Sequence, residues 1–327
     1  MEELVNKFWA IGGGKGGVGK SVVTVLLGTA LARLGKKVVL VDADLGGSNL
    51  HTLVGIRYPK FTMVDFLKKN VLSMDDILLD TPVENMKIIC GADDILGVAN
   101  PKHAQKIKIF NHLRHIDADV ILIDLGAGAS FTTIDFFLFA PNKIVVLTPQ
   151  VTSVQNAYGF IKSSLYRKLS SDFSKDPEIL ELITRASFSI QGESIDSMAK
   201  LHDAIKAVDG EAAEKLMDIL SRFDIYLVIN MLRDTKEKNI STIIKSVAKN
   251  YLGLEIEEFG AINYDSLLGM SINNMPSFIK SNKDSASKYN VYSLAQNISR
   301  KQQALMMEST LPPVFSVPPG PAALESA

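Results

Sequence analysis

Phe8-Trp9-Ala10-Ile11-Gly12-Gly13-Gly14-Lys15-Gly16-Gly17-Val18-Gly19-Lys20-Ser21 is the most legible stretch of this 327-residue chain. Its first four residues are a short apolar run ending in glycines, as a buried strand does. Over 20–34, apolar residues recur at Val22, Val23, Leu26, Leu27, Ala30, Leu31 and Leu34, a helical spacing that Gly35 stops. Residues 38–41 are a second strand, ending at Asp42. Strand, glycine loop, helix and strand form a βαβ unit, which implies a parallel sheet covered on both faces.

Working outward, further strands fall at 87–90, 120–123, 143–147 and 225–229. Residues 255–259 alternate acidic and apolar side chains and read as an exposed edge strand. Asn100-Pro101 opens a helix over 102–115. Strands separated by helical segments predict a doubly wound, mostly parallel α/β sheet, whose ligands bind outside the carboxyl ends of the strands. Asp42, Asp124, Thr148 and Asn230 all fall at such ends.

The chain reads as one domain over 1–310. Within it, 171–222 reads as a helical insertion, with Asp176-Pro177-Glu178 as a helix start and apolar stripes at Ile179, Ile183 and Ala186, then Ile195, Met198 and Ile205, then Leu216 and Leu220. It carries 11 Asp and Glu against 6 Lys and Arg, so it is read as a solvated excursion, with a partner-docking surface as the other reading. Residues 311–327 hold five prolines and no Lys or Arg, the composition of an extended or disordered tail.

Composition removes several classes. At 46% hydrophobic and 22% charged, the chain is an ordinary globular protein rather than a disordered or collagen-like one. A formal net charge of −1 with no long basic block gives no support for nucleic-acid binding. The single cysteine, Cys90, rules out a disulfide framework and any site needing several thiolates from one chain. No stretch approaches the roughly 18 apolar residues of a spanning helix. The first apolar run leads straight into glycines, unlike a signal peptide, so a cytoplasmic location is expected, with a peripheral position at the inner face of the membrane as the less favoured reading.

The glycine loop fits two patterns. Gly14, Gly16 and Gly19 match the dinucleotide fingerprint, with Asp42 where a ribose-binding acid would sit. The same residues, followed by Lys20-Ser21, match the phosphate-binding P-loop. The second accounts for more. A pyrophosphate on a helix N-terminus needs only backbone amides, whereas a triphosphate with Mg²⁺ needs a cation on its phosphates, which Lys20 supplies, and a hydroxyl on the metal, which Ser21 supplies. It also needs an acid from a neighbouring strand, and Asp124 is placed for that. Asp42 and Asp44, two residues apart in extended chain, point the same way; Asp42 can hold a water of the metal shell and Asp44 can orient the attacking water.

Residues 15–21, Lys15-Gly16-Gly17-Val18-Gly19-Lys20-Ser21, resemble the deviant Walker A box of the MinD/ParA family of P-loop (SIMIBI-type) ATPases. The resemblance implies that Lys15 reaches across a homodimer to the partner's phosphates while Lys20 acts within its own subunit. Asp42-Ala43-Asp44-Leu45-Gly46-Gly47-Ser48-Asn49 is similar to the family's switch I, with the catalytic aspartate at Asp44. Residues 124–130 resemble switch II, bringing Gly126 towards the phosphates. Residues 124–130, with 148–153, 156–158 and 260–265, look closest to the flagellar-number regulator branch (FlhG, FleN or YlxH). Asn230 matches the family's adenine-reading asparagine. The ATP site so implied comprises Gly14, Lys15, Gly16, Gly17, Val18, Gly19, Lys20, Ser21, Val22, Asn49, Gly126, Asn230, Tyr264 and Asp265, with Ser21, Asp42 and Asp124 serving Mg²⁺.

Three functions are compatible with these residues. The expected one is a Mg²⁺-dependent ATPase used as a dimerisation switch that positions or counts a cellular structure, slow until a protein partner acts on it. The others are an ATP-sensing scaffold docking a partner through 171–222, and a biosynthetic synthetase of the same fold, for which no second substrate motif occurs. ATP rather than GTP follows from the family, since no base-reading Asn-Lys-x-Asp is present. Residues 285–308 read as a packed or solvated terminal helix rather than a membrane anchor, and Lys280, Lys283 and Lys288 are too few for a DNA patch.

Overall fold

The computed structural model describes residues 6–45, 47–91, 101–188, 195–281 and 285–310. The first βαβ unit comprises β1 (Phe8–Gly12), α1 (Lys20–Arg33) and β2 (Val38–Asp42). Two short helices, α2 (Leu50–Val54) and α3 (Met63–Leu67), lead to β3 (Leu78–Asp80) and β4 (Met86–Ile89). Then come α4 (His103–Arg114), β5 (Val120–Asp124), α5 (Phe131–Phe139), β6 (Asn142–Leu147) and the long α6 (Val151–Asp172). The helices α7 (Pro177–Phe188), α8 (Met198–Val208) and α9 (Gly210–Ser221) precede β7 (Ile225–Leu232), α10 (Asn239–Val247) and β8 (Ile256–Asn263). The last described elements are α11 (Ser266–Ser271), α12 (Met275–Lys280) and α13 (Ala286–Thr310).

The eight strands form one sheet in the order β3-β4-β2-β5-β1-β6-β7-β8. All neighbours are parallel except β3, which runs antiparallel to β4 at one edge. Strands β1, β2, β5 and β6 are buried along their whole length, as expected of a sheet with helices on both faces. Insertion of β5 between β1 and β2 brings three carboxyl ends together: Asp124 is in register with both Ile11 and Asp42.

One face of the sheet packs against α1, α2, α12 and α13, the other against α3 to α10. Helix α1 is buried nearly all round because it lies between the sheet and α13. The stripe Val291, Leu294, Ala295 and Ile298 of α13 is spent on this packing. No helix of the described residues is long and apolar enough to cross a membrane.

Several expectations are sharpened here. The edge strand expected at 255–259 runs on to Asn263, and the antiparallel strand β3 was not foreseen; three residues between turns carry no readable period. The helix near 102–115 spans His103–Arg114, and its proposed opening residue, Asn100, lies outside the described residues. The segment 171–222 differs from a merely solvated excursion. It begins inside α6, and Ile179, Ile183, Leu201, Ile205 and Leu216 are fully buried in the cluster that includes β5 and β6 side chains. Among the described residues, Glu178, Glu181, Asp203, Glu211, Glu214 and Asp218 lie on its exposed outer side. The tail 311–327 lies outside the described residues.

Candidate functional site

The glycine loop connects β1 to the first turn of α1, at the carboxyl end of the sheet. Two backbone features shape it. Gly19 has φ +90°, a conformation that side chains disfavour, and it sits at the N-cap of α1. Gly14 passes so close to α6 that a Cβ there would lie 1.8 Å from the Asn156 carbonyl oxygen. The loop therefore rests on α6 on one side and on the end of β7 on the other. Lys15, Gly16 and Gly17 are exposed at its crest, while Val18 and Lys20 are buried.

Lys20 is 8% exposed, so its side chain is buried beneath the loop. Burial lowers its pKa; the opposing pull comes from Asp124 and then Asp44. A buried cation beneath a loop of backbone amides is a cradle for an anion.

The acidic side of the site is built from neighbouring strand ends. Asp124 is 2% exposed; its Oδ1 accepts from the Thr24 hydroxyl at 3.0 Å, and Ser21 also donates to it. Burial raises its pKa to about 7, with the charge of Asp42 adding to the effect, despite those hydroxyls and Lys20. Asp42, 1% exposed, accepts from Ser48 Oγ at 2.6 Å and from the Leu50 amide at 3.0 Å on Oδ2, and from the Asp44 amide at 3.1 Å on Oδ1. Its pKa too is raised by burial, against those hydrogen bonds. Asp42 thus folds the following loop around itself. Asp44, half-buried, lies against Gly126, where a Cβ would come within 2.9 Å of its Oδ1. Switch-like segments after β2 and β5 therefore touch.

These residues fit Mg²⁺. Two buried carboxylates stand side by side at the edge of the phosphate cradle, and Asp124 retains an unfavourable charge that a divalent ion would offset. Among the described residues no cluster of three or more His, Cys, Asp or Glu gathers.

A cleft of about 350 Å³ opens beside the loop. Gly17, Gly19, Lys20, Ser21 and Val22 line one wall; Asn230, Met231, Asn263, Tyr264, Asp265, Leu268, Gly269 and Ile272 line the other. The structure so gathers Lys20, Ser21, Val22, Asn230, Tyr264 and Asp265 from three separate stretches of sequence. Tyr264 is held from outside by the Arg233 guanidinium, 4.1 Å from its ring centre. Asn49 stands apart from this cleft lining, exposed, donating its side-chain amide to the Gly47 carbonyl at 2.8 Å.

Asp265 has its oxygens engaged within the protein. Oδ1 accepts the Leu267 and Leu268 amides that start α11, and Oδ2 accepts from Ser285 Oγ and from Ser287 Oγ at 2.8 Å at the start of α13. Burial alone would raise its pKa, but these donors outweigh it and hold the carboxyl at about 2. Asp265 thus shapes the cleft wall as a junction.

Sequence reasoning missed Thr24, Ser48 and Met231. Thr24 was readable, since it lies three residues after Ser21 on one face of α1. Ser48 and Met231 were not, because their roles depend on how loops fold back.

Comparison with known proteins agrees with this geometry. The ParA family profile, described as NUBPL iron-transfer P-loop NTPase, matches residues 4–169, slightly over half of the chain. The antiactivator FleN of Pseudomonas aeruginosa is 36% identical over 155 residues, covering 47% of this chain and 54% of FleN. The septum site-determining protein MinD of Helicobacter pylori is 34% identical over 145 residues, covering 44% and 53%. The chain thus spans about half the length of these curated relatives. Among solved structures, MinD of Pyrococcus horikoshii complexed with Mg-ADP superposes with a TM-score of 0.60 at 20% identity, covering 90% of this chain and 96% of that one. With the glycine loop, the paired strand-end aspartates and the parallel sheet already in place, these matches put the chain in the ParA/MinD family of P-loop NTPases.

Proposed function

We propose that this protein is a Mg²⁺-dependent ATPase whose nucleotide state controls closure of a homodimer, in service of positioning or counting a cellular structure. The observation that carries the reading is the placement of Lys20, a buried cation, beneath the glycine loop and beside the Asp42–Asp124 pair. The Mg-ADP held by the P. horikoshii MinD supports the same ligand here, and the likeness to FleN and MinD supports the process class.

In this reading, Lys20 and the amides of 14–20 hold the phosphates. Mg²⁺, when bound, would neutralise charge on the phosphate oxygens, with Ser21 as a direct ligand and Asp42 and Asp124 contacting it through water. Asp44 orients the attacking water, its position set by contact with Gly126. Tyr264, Met231 and Leu268 offer the base an apolar wall. Lys15, exposed at the crest, is free to reach a second subunit. A switch running from nearly all open to nearly all closed needs ATP to favour the closed dimer by about 5.5 kcal/mol, and Lys15 supplies part of that difference. Hydrolysis is slow in the isolated protein and faster with a protein partner.

Solution mass tests this. With ATP and Mg²⁺, Asp44→Ala should shift from monomer to dimer; Lys15→Gln should stay monomeric, and Lys20→Ala should bind no ATP. A mass indifferent to nucleotide in every variant would overturn the switch and favour a constitutive scaffold on the same fold.

A further inference from the structure

We infer that Asn230 is a positioning residue for the phosphate loop, acting on the backbone of Val18 and Gly19. The inference rests on the reading of the cleft as a nucleotide site and adds to it a residue that acts where no base is bound.

The argument starts in β7. The pairing of β7 with β8 shifts register between Leu227 and Val228 and again between Ile229 and Leu232, so Asn230 and Met231 lie in the second irregularity, a bulge in β7. Met231 has φ +60°, a conformation that costs a non-glycine residue free energy and persists only where surroundings enforce it. The enforcement is visible. Asn230 Oδ1 accepts the Met231 amide at 2.9 Å, so the amide freed by the bulge is paired. Bulges redirect side chains, and this one aims Asn230 at the glycine loop.

There the Asn230 Nδ2 donates to the Val18 carbonyl at 2.9 Å, in a site where Asn230 is 6% exposed. The same nitrogen lies 2.4 Å from where a Gly19 Cβ would sit. Asn230 therefore fastens the carbonyl before Gly19 and fills the space beside it, at the residue whose φ of +90° turns the loop into α1. That turn aims the amides of 19–21 and sets where Lys20 emerges. A buried hydrogen bond to a backbone carbonyl is worth about tenfold in the population of the geometry it holds. The amide keeps one N–H and one lone pair spare, so contact with a base is compatible with this task.

Amide hydrogen exchange on the nucleotide-free protein tests the inference. Wild type is compared with Asn230→Ala, which removes both contacts, and Asn230→Asp, which keeps the acceptor for Met231 and puts a carboxylate against the Val18 carbonyl. Amides over 18–20 should exchange about tenfold faster in both variants, while those of β1, β5 and β6 keep their protection. Unchanged exchange at 18–20 in Asn230→Asp overturns the inference, as does acceleration spread equally over the sheet. ATP titration reads the consequence: affinity falls about tenfold in both variants. A wild-type chain that binds no ATP would overturn the nucleotide reading itself and leave the loop measurement to be judged separately.

Discussion

At Asp124 the fold buries a carboxyl whose ionised form it disfavours. Its carboxyl is held at about 7 by burial, with Asp42 beside it, so ionising it in the folded chain is unfavourable. The ordinary value is 3.8, and the folded value lies above it. Stability is therefore full below about pH 4 with respect to this group and is lost as pH rises through 7. Asp124→Asn keeps an oxygen for Thr24 and removes the charge. The nucleotide-free variant should be more stable than wild type at pH 8, by on the order of 2 kcal/mol, with the gain vanishing towards pH 4. Urea titrations at the two pH values check this, and Mg²⁺-dependent ATP turnover in the variant should be lost. Equal stability at pH 8 would mean that Asp124 is not the strained acid of the site.

Among the elements, β8, α11 and α13 meet at one carboxylate. Asp265 ends the turn after β8, caps α11 and takes the hydroxyls of Ser285 and Ser287. Its folded pKa of about 2 lies below the ordinary 3.8, so its contribution is present above pH 4 and disappears as pH falls towards 2. Since the group is partly exposed, solvent screening leaves about 1 kcal/mol of it. Asp265→Asn should be less stable than wild type by that amount at pH 7 and indistinguishable from it near pH 2, by chemical denaturation. The same substitution should weaken ATP binding only modestly, because the carboxylate shapes the cleft wall through its neighbours. A loss of ATP binding with no loss of stability would instead make it a direct ligand.

For the whole molecule, α7, α8 and α9 share their buried side with the sheet core. Leu201 and Ile205 of α8 are fully buried in the cluster that contains β5 and β6. Leu201→Ala should therefore cost about 2–5 kcal/mol. It should lower the midpoint of a single cooperative thermal transition, rather than produce a separate early one, as calorimetry would show. An early, low-enthalpy transition confined to the variant would make 171–222 an independently melting appendage. The acidic outer side of these helices is exposed and contributes little to that packing.

Local chemistry sufficed for a good part of this protein. Apolar runs of strand length, helical spacing over α1 and a glycine loop followed by Lys20-Ser21 specify their own conformations within a few residues, because turn geometry and side-chain period are short-range. Asp42 and Asp124 could be placed at strand ends, and Asp44 two residues beyond one, for the same reason. Which strand lies beside which is a matter of long-range packing. Only the tertiary structure put β5 between β1 and β2, setting Asp124 in register with Asp42. Only it joined Asp265 to serines 20 and 22 residues further on, and bent β7 so that Asn230 meets Val18 across 212 residues. A hydrogen bond of that span leaves no period in the sequence; the burial that makes it worth forming exists only once the sheet has closed.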